Sequence, residues 1–134
     1  MNILLSRTDN IGDVILTLPM AGILKKYFPQ CRVLFLGKSY TRPVVACCSF
    51  VDEFHDWDEM EKSLSPLDAL KKLNADAIVH VFPNKTIAHL AKKAKIPLRI
   101  GTNRRIFHWT TCNLLVNLTR KNSPLPEAEL NLKL

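Results

Sequence analysis

The chain has 134 residues, 47% apolar and 23% charged, with 19 Lys and Arg against 12 Asp and Glu and a net charge of +7. That length holds one domain with a real core, and the composition excludes a disordered or fibrous chain. The basic balance favours anionic partners, whether phosphates, nucleic acid or an acidic membrane face, without choosing among them.

The longest apolar run, 14–24, is interrupted by Thr17, Pro19 and Gly22 and falls short of the roughly 20 residues of a membrane span. Asp9 and Asp13 precede it, where a secretory signal carries positive charge. Cys31, Cys47, Cys48 and Cys112 form no C-x-x-C pair or zinc spacing, so they read as reduced thiols of a cytoplasmic protein. In that compartment the N-x-Thr matches at Asn84 and Asn117 carry no glycan.

In chain order, Ile3, Leu4 and Leu5 read as a buried strand, followed by the polar stretch 6–10. Gly12 and Asp13 open a helical segment that ends near Phe28 and Pro29. Asp is a favoured helix cap, and Gly before it permits a tight turn. Pro19 either kinks this segment or restarts it as a first helical residue. Residues 33–36 read as a second strand ended by Gly37, 41–48 as a short helix with Pro43 in its first turn, and 51–54 as a weak strand. The acidic stretch 55–65 reads as a loop. Residues 66–73 read as a helix, 77–82 as a strong strand and 85–95 as a basic amphipathic helix; 98–100 reads as a short strand stopped by Gly101. Strands alternating with helices predict an α/β fold, a Rossmann-like doubly wound parallel sheet covered on both faces. After that the rhythm breaks. Residues 104–118 read as partly helical, 122–126 as a loop, and 127–134 as a helix cut off within about two turns. This divides the chain into a domain over 1–121 and a linker with the start of a truncated helix over 122–134.

The loop Arg7-Thr8-Asp9-Asn10-Ile11-Gly12-Asp13 falls at the carboxyl edge of such a sheet, where ligands bind. Its single glycine does not make the G-x-G-x-x-G of a dinucleotide loop, which argues against nicotinamide cofactors. A carboxylate here suits an acceptor hydroxyl better than a pyrophosphate. Asp13 is therefore a candidate general base, able to take the proton of an attacking hydroxyl; the alternative is that it only caps the helix. Ser6, Arg7, Asp9, Gly12 and Lys38 are candidate substrate-binding residues, Asp9 being the weaker because turns favour Asp. Lys38, Arg42, Lys85, Arg99, Arg104 and Arg105 fall near strand ends or loops, where Arg suits carboxylates and phosphates. His80 reads as a core histidine; His55, His89 and His108 have no partners at metal or triad spacing, and no metal site is expected. Trp57 and Trp109 either stack on sugar or pack.

Arg7-x-Asp9-x-Ile11-Gly12-Asp13, then Pro19, then Leu24-Lys25-Lys26-Tyr27-Phe28-Pro29 resembles the opening of glycosyltransferase family 9, which includes the ADP-heptose:lipopolysaccharide heptosyltransferases. Val51-Asp52 after the Pro43 helix is similar too, as is Pro97-Leu98-Arg99-Ile100-Gly101 followed by Arg104-Arg105. The resemblance implies the N-terminal half of a GT-B fold, in which two Rossmann-like domains enclose a cleft. The first domain holds the acceptor, here an anionic glycolipid of the lipopolysaccharide core, and the second holds a nucleotide-sugar donor. It further implies inverting transfer of heptose, no essential metal or other cofactor, and Asp13 as general base. The expected setting is the cytoplasm, with peripheral contact at the inner face of the inner membrane and no specific nucleic acid. The donor domain is not within these residues, so the chain alone is expected to be inactive. The competing reading is a non-catalytic α/β module that binds polyanions.

Overall fold

A computed structural model of the chain describes residues 1–102 and 105–116. The expectations for Arg104, for Asn117, for the boundary at 121, for the linker at 122–126 and for the helix at 127–134 lie outside the described residues.

The described chain runs β1 (Asn2–Ser6), α1 (Ile11–Thr17), α2 (Pro19–Tyr27), β2 (Arg32–Gly37), a 3₁₀ turn (Ser39–Thr41), α3 (Arg42–Ala46) and β3 (Glu53–Asp56). It continues with α4 (Trp57–Lys62), α5 (Pro66–Lys71), β4 (Ala77–His80), α6 (Lys85–Lys93), β5 (Leu98–Thr102), α7 (Ile106–Thr111) and β6 (Leu114–Val116). The strands form one sheet in the order β3-β2-β1-β4-β5-β6, every pair parallel. This is the Rossmann-like α/β architecture predicted from the alternation of elements.

Both sheet faces are covered, so the central strands are apolar throughout rather than alternating. Leu5, Val33, Phe35 and Val79 pack with Val14, Met20, Ala21 and Val45 of α1–α3. Leu4, Leu34, Leu36 and Ile78 pack on the other face with Trp57, Leu70, Ile87 and Ala91 of α4–α6. Each fully buried Leu or Ile contributes about 1.5–3 kcal/mol, and these runs fix the register.

Local chemistry explains the departures from the expected elements. Pro19 restarts the helix: Leu18 separates α1 from α2, and Pro19 is the first residue of α2, where its missing N–H costs nothing. The acidic stretch after β3 is not a loop. Asp56 caps α4 by accepting from the Glu59 N–H at 3.3 Å, and Trp57 is buried under it. β3 lies two residues later than expected. Gly101 does not stop β5, which continues to Thr102. A Cβ at Gly101 would lie 2.5 Å from His108 Nδ1 and 2.7 Å from Cys112 Sγ, so this glycine lets α7 pack on the strand. The segment expected to be partly helical contains both α7 and the sixth strand.

Candidate functional site

The sheet order reverses direction at β1 and β4. Their following segments diverge there and leave a crevice at the carboxyl edge, the ordinary ligand position in such folds. Two adjoining cavities occupy it. One, about 560 Å³, is lined by Thr8, Asp9, Lys38, Tyr40, Trp57, Glu61, Phe82 and Asn84. The other, about 240 Å³, is lined by Arg7, Asp9, Asp13, Val81, Phe82, Pro83 and Arg105. Asp9 and Phe82 belong to both.

The loop from β1 to α1 is organised around Arg7. Its buried guanidinium grips Asp9 with two hydrogen bonds, Nε–Oδ1 at 2.9 Å and Nη2–Oδ2 at 3.0 Å. Its Nη2 also stands 3.5 Å from Asp13 Oδ2. Tyr40 closes the loop from the other side by donating its hydroxyl to the Asp9 carbonyl at 3.0 Å. Burial raises Asp9 above the ordinary carboxylate range; Arg7 pulls the other way without cancelling it, and Asp13 adds to the rise.

Asp13 is not the helix cap. Asn10 is: its Oδ1 accepts from the Asp13 N–H at 2.9 Å, and its Nδ2 donates to Asp13 Oδ2 at 2.6 Å. The carboxylate is thus oriented from below by Arg7 and from the side by Asn10. Its side chain is 31% exposed, open to the crevice.

The other expected residues divide. Lys38 and Asp9 line the larger cavity. Arg7 lines the smaller one, but its charge is committed to the two aspartates. Ser6, the last residue of β1, is fully buried with its hydroxyl shut away from solvent and lines neither cavity. Gly12 is exposed, its φ is not positive, and a Cβ there would meet only Asn10 Oδ1 at 3.5 Å. No tight turn calls for a glycine here, contrary to expectation; it leaves the first turn of α1 bare.

Of the basic set, Arg105 reaches the smaller cavity and Lys85 is exposed at the start of α6. Arg99 is structural, donating to the carbonyls of Thr111 at 2.6 Å and Ile96 at 2.7 Å. Arg42 lies over the Phe54 ring and 4.0 Å from Asp56. Trp57 packs in the core. His80 is a core residue as read, but His108 packs beside it, ring centres 5.2 Å apart. Among the described residues no cluster of His, Cys, Asp and Glu could hold a metal ion. Sequence reasoning missed Tyr40, Phe82, Pro83 and Asn84. The segment after β4 is recognisable as site-forming only once β4 is known to lie beside β1.

No family model and no curated protein matches the sequence. Solved structures do match. A glycosyl transferase family 9 protein from Veillonella parvula superposes with a TM-score of 0.80 at 22% identity, over 98% of this chain and 39% of that one. The E. coli heptosyltransferase WaaC with ADP gives a TM-score of 0.80 at 16% identity, over 99% of this chain and 45% of that one. E. coli ADP-heptose LPS heptosyltransferase II gives 0.78 at 20%, over 98% and 39%. The chain has their fold. It spans less than half the length of each.

Proposed function

We propose that the chain is the acceptor-binding half of a glycosyltransferase of family 9, transferring heptose from an ADP-sugar to a lipopolysaccharide core acceptor, with Asp13 as general base. The observation that carries this reading is a half-open carboxylate at the switch point of the sheet, held by Arg7 and Asn10 and facing a crevice. The shared fold and the order of motifs from Arg7 to Gly101 support it.

In this reaction the acceptor hydroxyl gives its proton to Asp13 as its oxygen bonds to the anomeric carbon. The bond from that carbon to the donor phosphate breaks on the opposite face, ADP leaves with the electron pair, and the configuration inverts. Asn10 and Arg7 keep the carboxylate aimed while it is ionised. Phe82 and Pro83 wall off water, and Lys38 and Arg105 meet the acceptor's anionic groups. The donor belongs to a second half supplied beyond these residues. No metal or other cofactor enters the scheme.

Two measurements test it. The chain should bind an anionic lipopolysaccharide core acceptor, with NMR shifts concentrated at Asp9, Asp13, Phe82 and Arg105. When the chain is joined to a donor half of the same fold, Asp13→Ala should lower turnover by at least about 100-fold. Near-normal turnover would remove Asp13 from the role of base.

A further inference from the structure

The two cavities of the crevice differ in the charge they present. The smaller has Arg105 besides Arg7 and the aspartates that Arg7 holds. The larger has one cation, Lys38, against the carboxylates of Asp9 and Glu61. Lys38 is shared with a third carboxylate: Asp58 is held below its ordinary range first by the Ser39 N–H and also by Lys38. Glu61 is exposed on α4 and has no ion-pair partner among the described residues.

The remaining walls of the larger cavity are aromatic and polar. Tyr40 is 53% exposed, and its hydroxyl is committed to the Asp9 carbonyl at 3.0 Å, so the ring is what it offers a ligand. Phe82, partly buried, stands in both cavities. Asn84 caps α6 through Oδ1, which accepts from the Ile87 N–H at 3.1 Å; its Nδ2 makes no hydrogen bond among the described residues. The volume of about 560 Å³ is that of a small-molecule site.

We propose that the larger cavity selects a neutral, hydroxyl-rich sugar unit of the acceptor, and that Glu61 is the residue that excludes an acidic one. An ionised carboxylate only accepts hydrogen bonds, so it can bond a sugar hydroxyl but not another carboxylate or a phosphate. A like charge brought beside Glu61 would be repelled. The Tyr40 and Phe82 rings give apolar surface for the C–H face of a sugar ring, and Asn84 Nδ2 is left to donate to a sugar oxygen. An anionic group of the same acceptor has Arg105 in the smaller cavity, and Lys38 where it stays clear of Glu61. The inference rests on the acceptor reading above and narrows it: the neutral unit and the charge of the acceptor are received by different parts of the crevice.

The test titrates the 134-residue chain with a matched pair of ligands, followed by backbone NMR shifts. The pair is methyl α-D-mannopyranoside and the corresponding methyl mannosiduronate, in which a carboxylate replaces the primary alcohol. The neutral glycoside should shift Tyr40, Glu61, Phe82 and Asn84 and bind about tenfold more tightly than the uronate, a gap that narrows as salt screens the charge. Glu61→Gln should bring the two within about twofold, with an unchanged circular dichroism spectrum, and Glu61→Lys should reverse their order. Phe82→Ala should weaken both. Equal or tighter binding of the uronate to the native chain overturns the proposal, as does a gap that survives Glu61→Gln; in either case a sugar still binds at the crevice and the acceptor reading stands. No crevice shift with either glycoside also overturns it, and the core-acceptor titration above then decides the acceptor reading by itself.

Discussion

Replacing Arg7 with Met keeps the length of the side chain and deletes the charge that holds the site loop together. In the native protein the Arg7 side chain is 4% exposed, Asp9 14% and Asp13 31%. Removing one member of a buried ion pair costs about 3–5 kcal/mol, because the remaining charge is left uncompensated. Asp9 retains some access to water, so the lower end, about 3 kcal/mol, is expected. With a urea slope of about 1.5–2 kcal/mol/M for a domain of this size, the midpoint should fall by about 1.5–2 M. The deficit should also depend on pH. Burial already raises Asp9, and without Arg7 it rises further. A carboxylate raised in the folded state adds stability below its unfolded range and loses it as pH rises through the folded value. The deficit of Arg7→Met should therefore be largest at neutral pH and shrink under mild acid, and Asp9→Asn in the same chain should recover part of it. A midpoint shift under about 0.5 M, or a deficit independent of pH, would refute this account of the loop.

Asn10→Ala removes the α1 cap and one of the two groups that orient Asp13; thermal unfolding should show a loss of about 1 kcal/mol, and turnover in the joined protein should fall with little change in KM. Gly101→Ala should destabilise by about 1–3 kcal/mol in urea titration, since the new methyl would lie 2.5 Å from the His108 ring and 2.7 Å from Cys112 Sγ. Burial first, then His108 and Arg99, push His80 from its ordinary 6.5 down to about 3, and His108 is lowered as well. A lowered histidine means that the unfolded chain binds more protons, so stability falls as pH drops below 6.5. His80 alone should account for about 1.4 kcal/mol per pH unit, about 2 kcal/mol by pH 5. His80→Leu should flatten that slope between pH 6.5 and 5, above the range in which Asp52, Glu53 and Asp58, all lowered by their partners, begin to contribute. An unchanged slope would mean that His80 is not the buried neutral group described.

The strands were legible because parallel strands buried on both faces must be apolar throughout, as 3–5, 33–36 and 77–79 are. α5 and α6 were legible from helical spacing. The site loop was legible from its place after the first strand, and Asp13 from its carboxylate near the helix start. What misled was local. α4 hides in an acidic stretch because Trp57 is its only fully buried side chain. β6 is a three-residue edge strand of which no residue is fully buried, so it lacks the apolar signature of the centre. Gly101 looks like a terminator in one dimension and is a packing contact in three.

Composition and periodicity determined the fold class by themselves, since which residues can be buried and at what spacing is a property of the chain. The partners of each side chain were decided only by the tertiary structure. Asn10 rather than Asp13 caps α1, Ser6 is shut inside the sheet, and Arg7 spends its charge on its own loop. The Asn10 and Arg7 contacts span only three and two residues, but which local partner each takes depends on which way its side chain faces, and Ser6 is enclosed because β2 and β4 flank β1. Linear order does not contain that information, because the strands that meet at the crevice are some seventy residues apart.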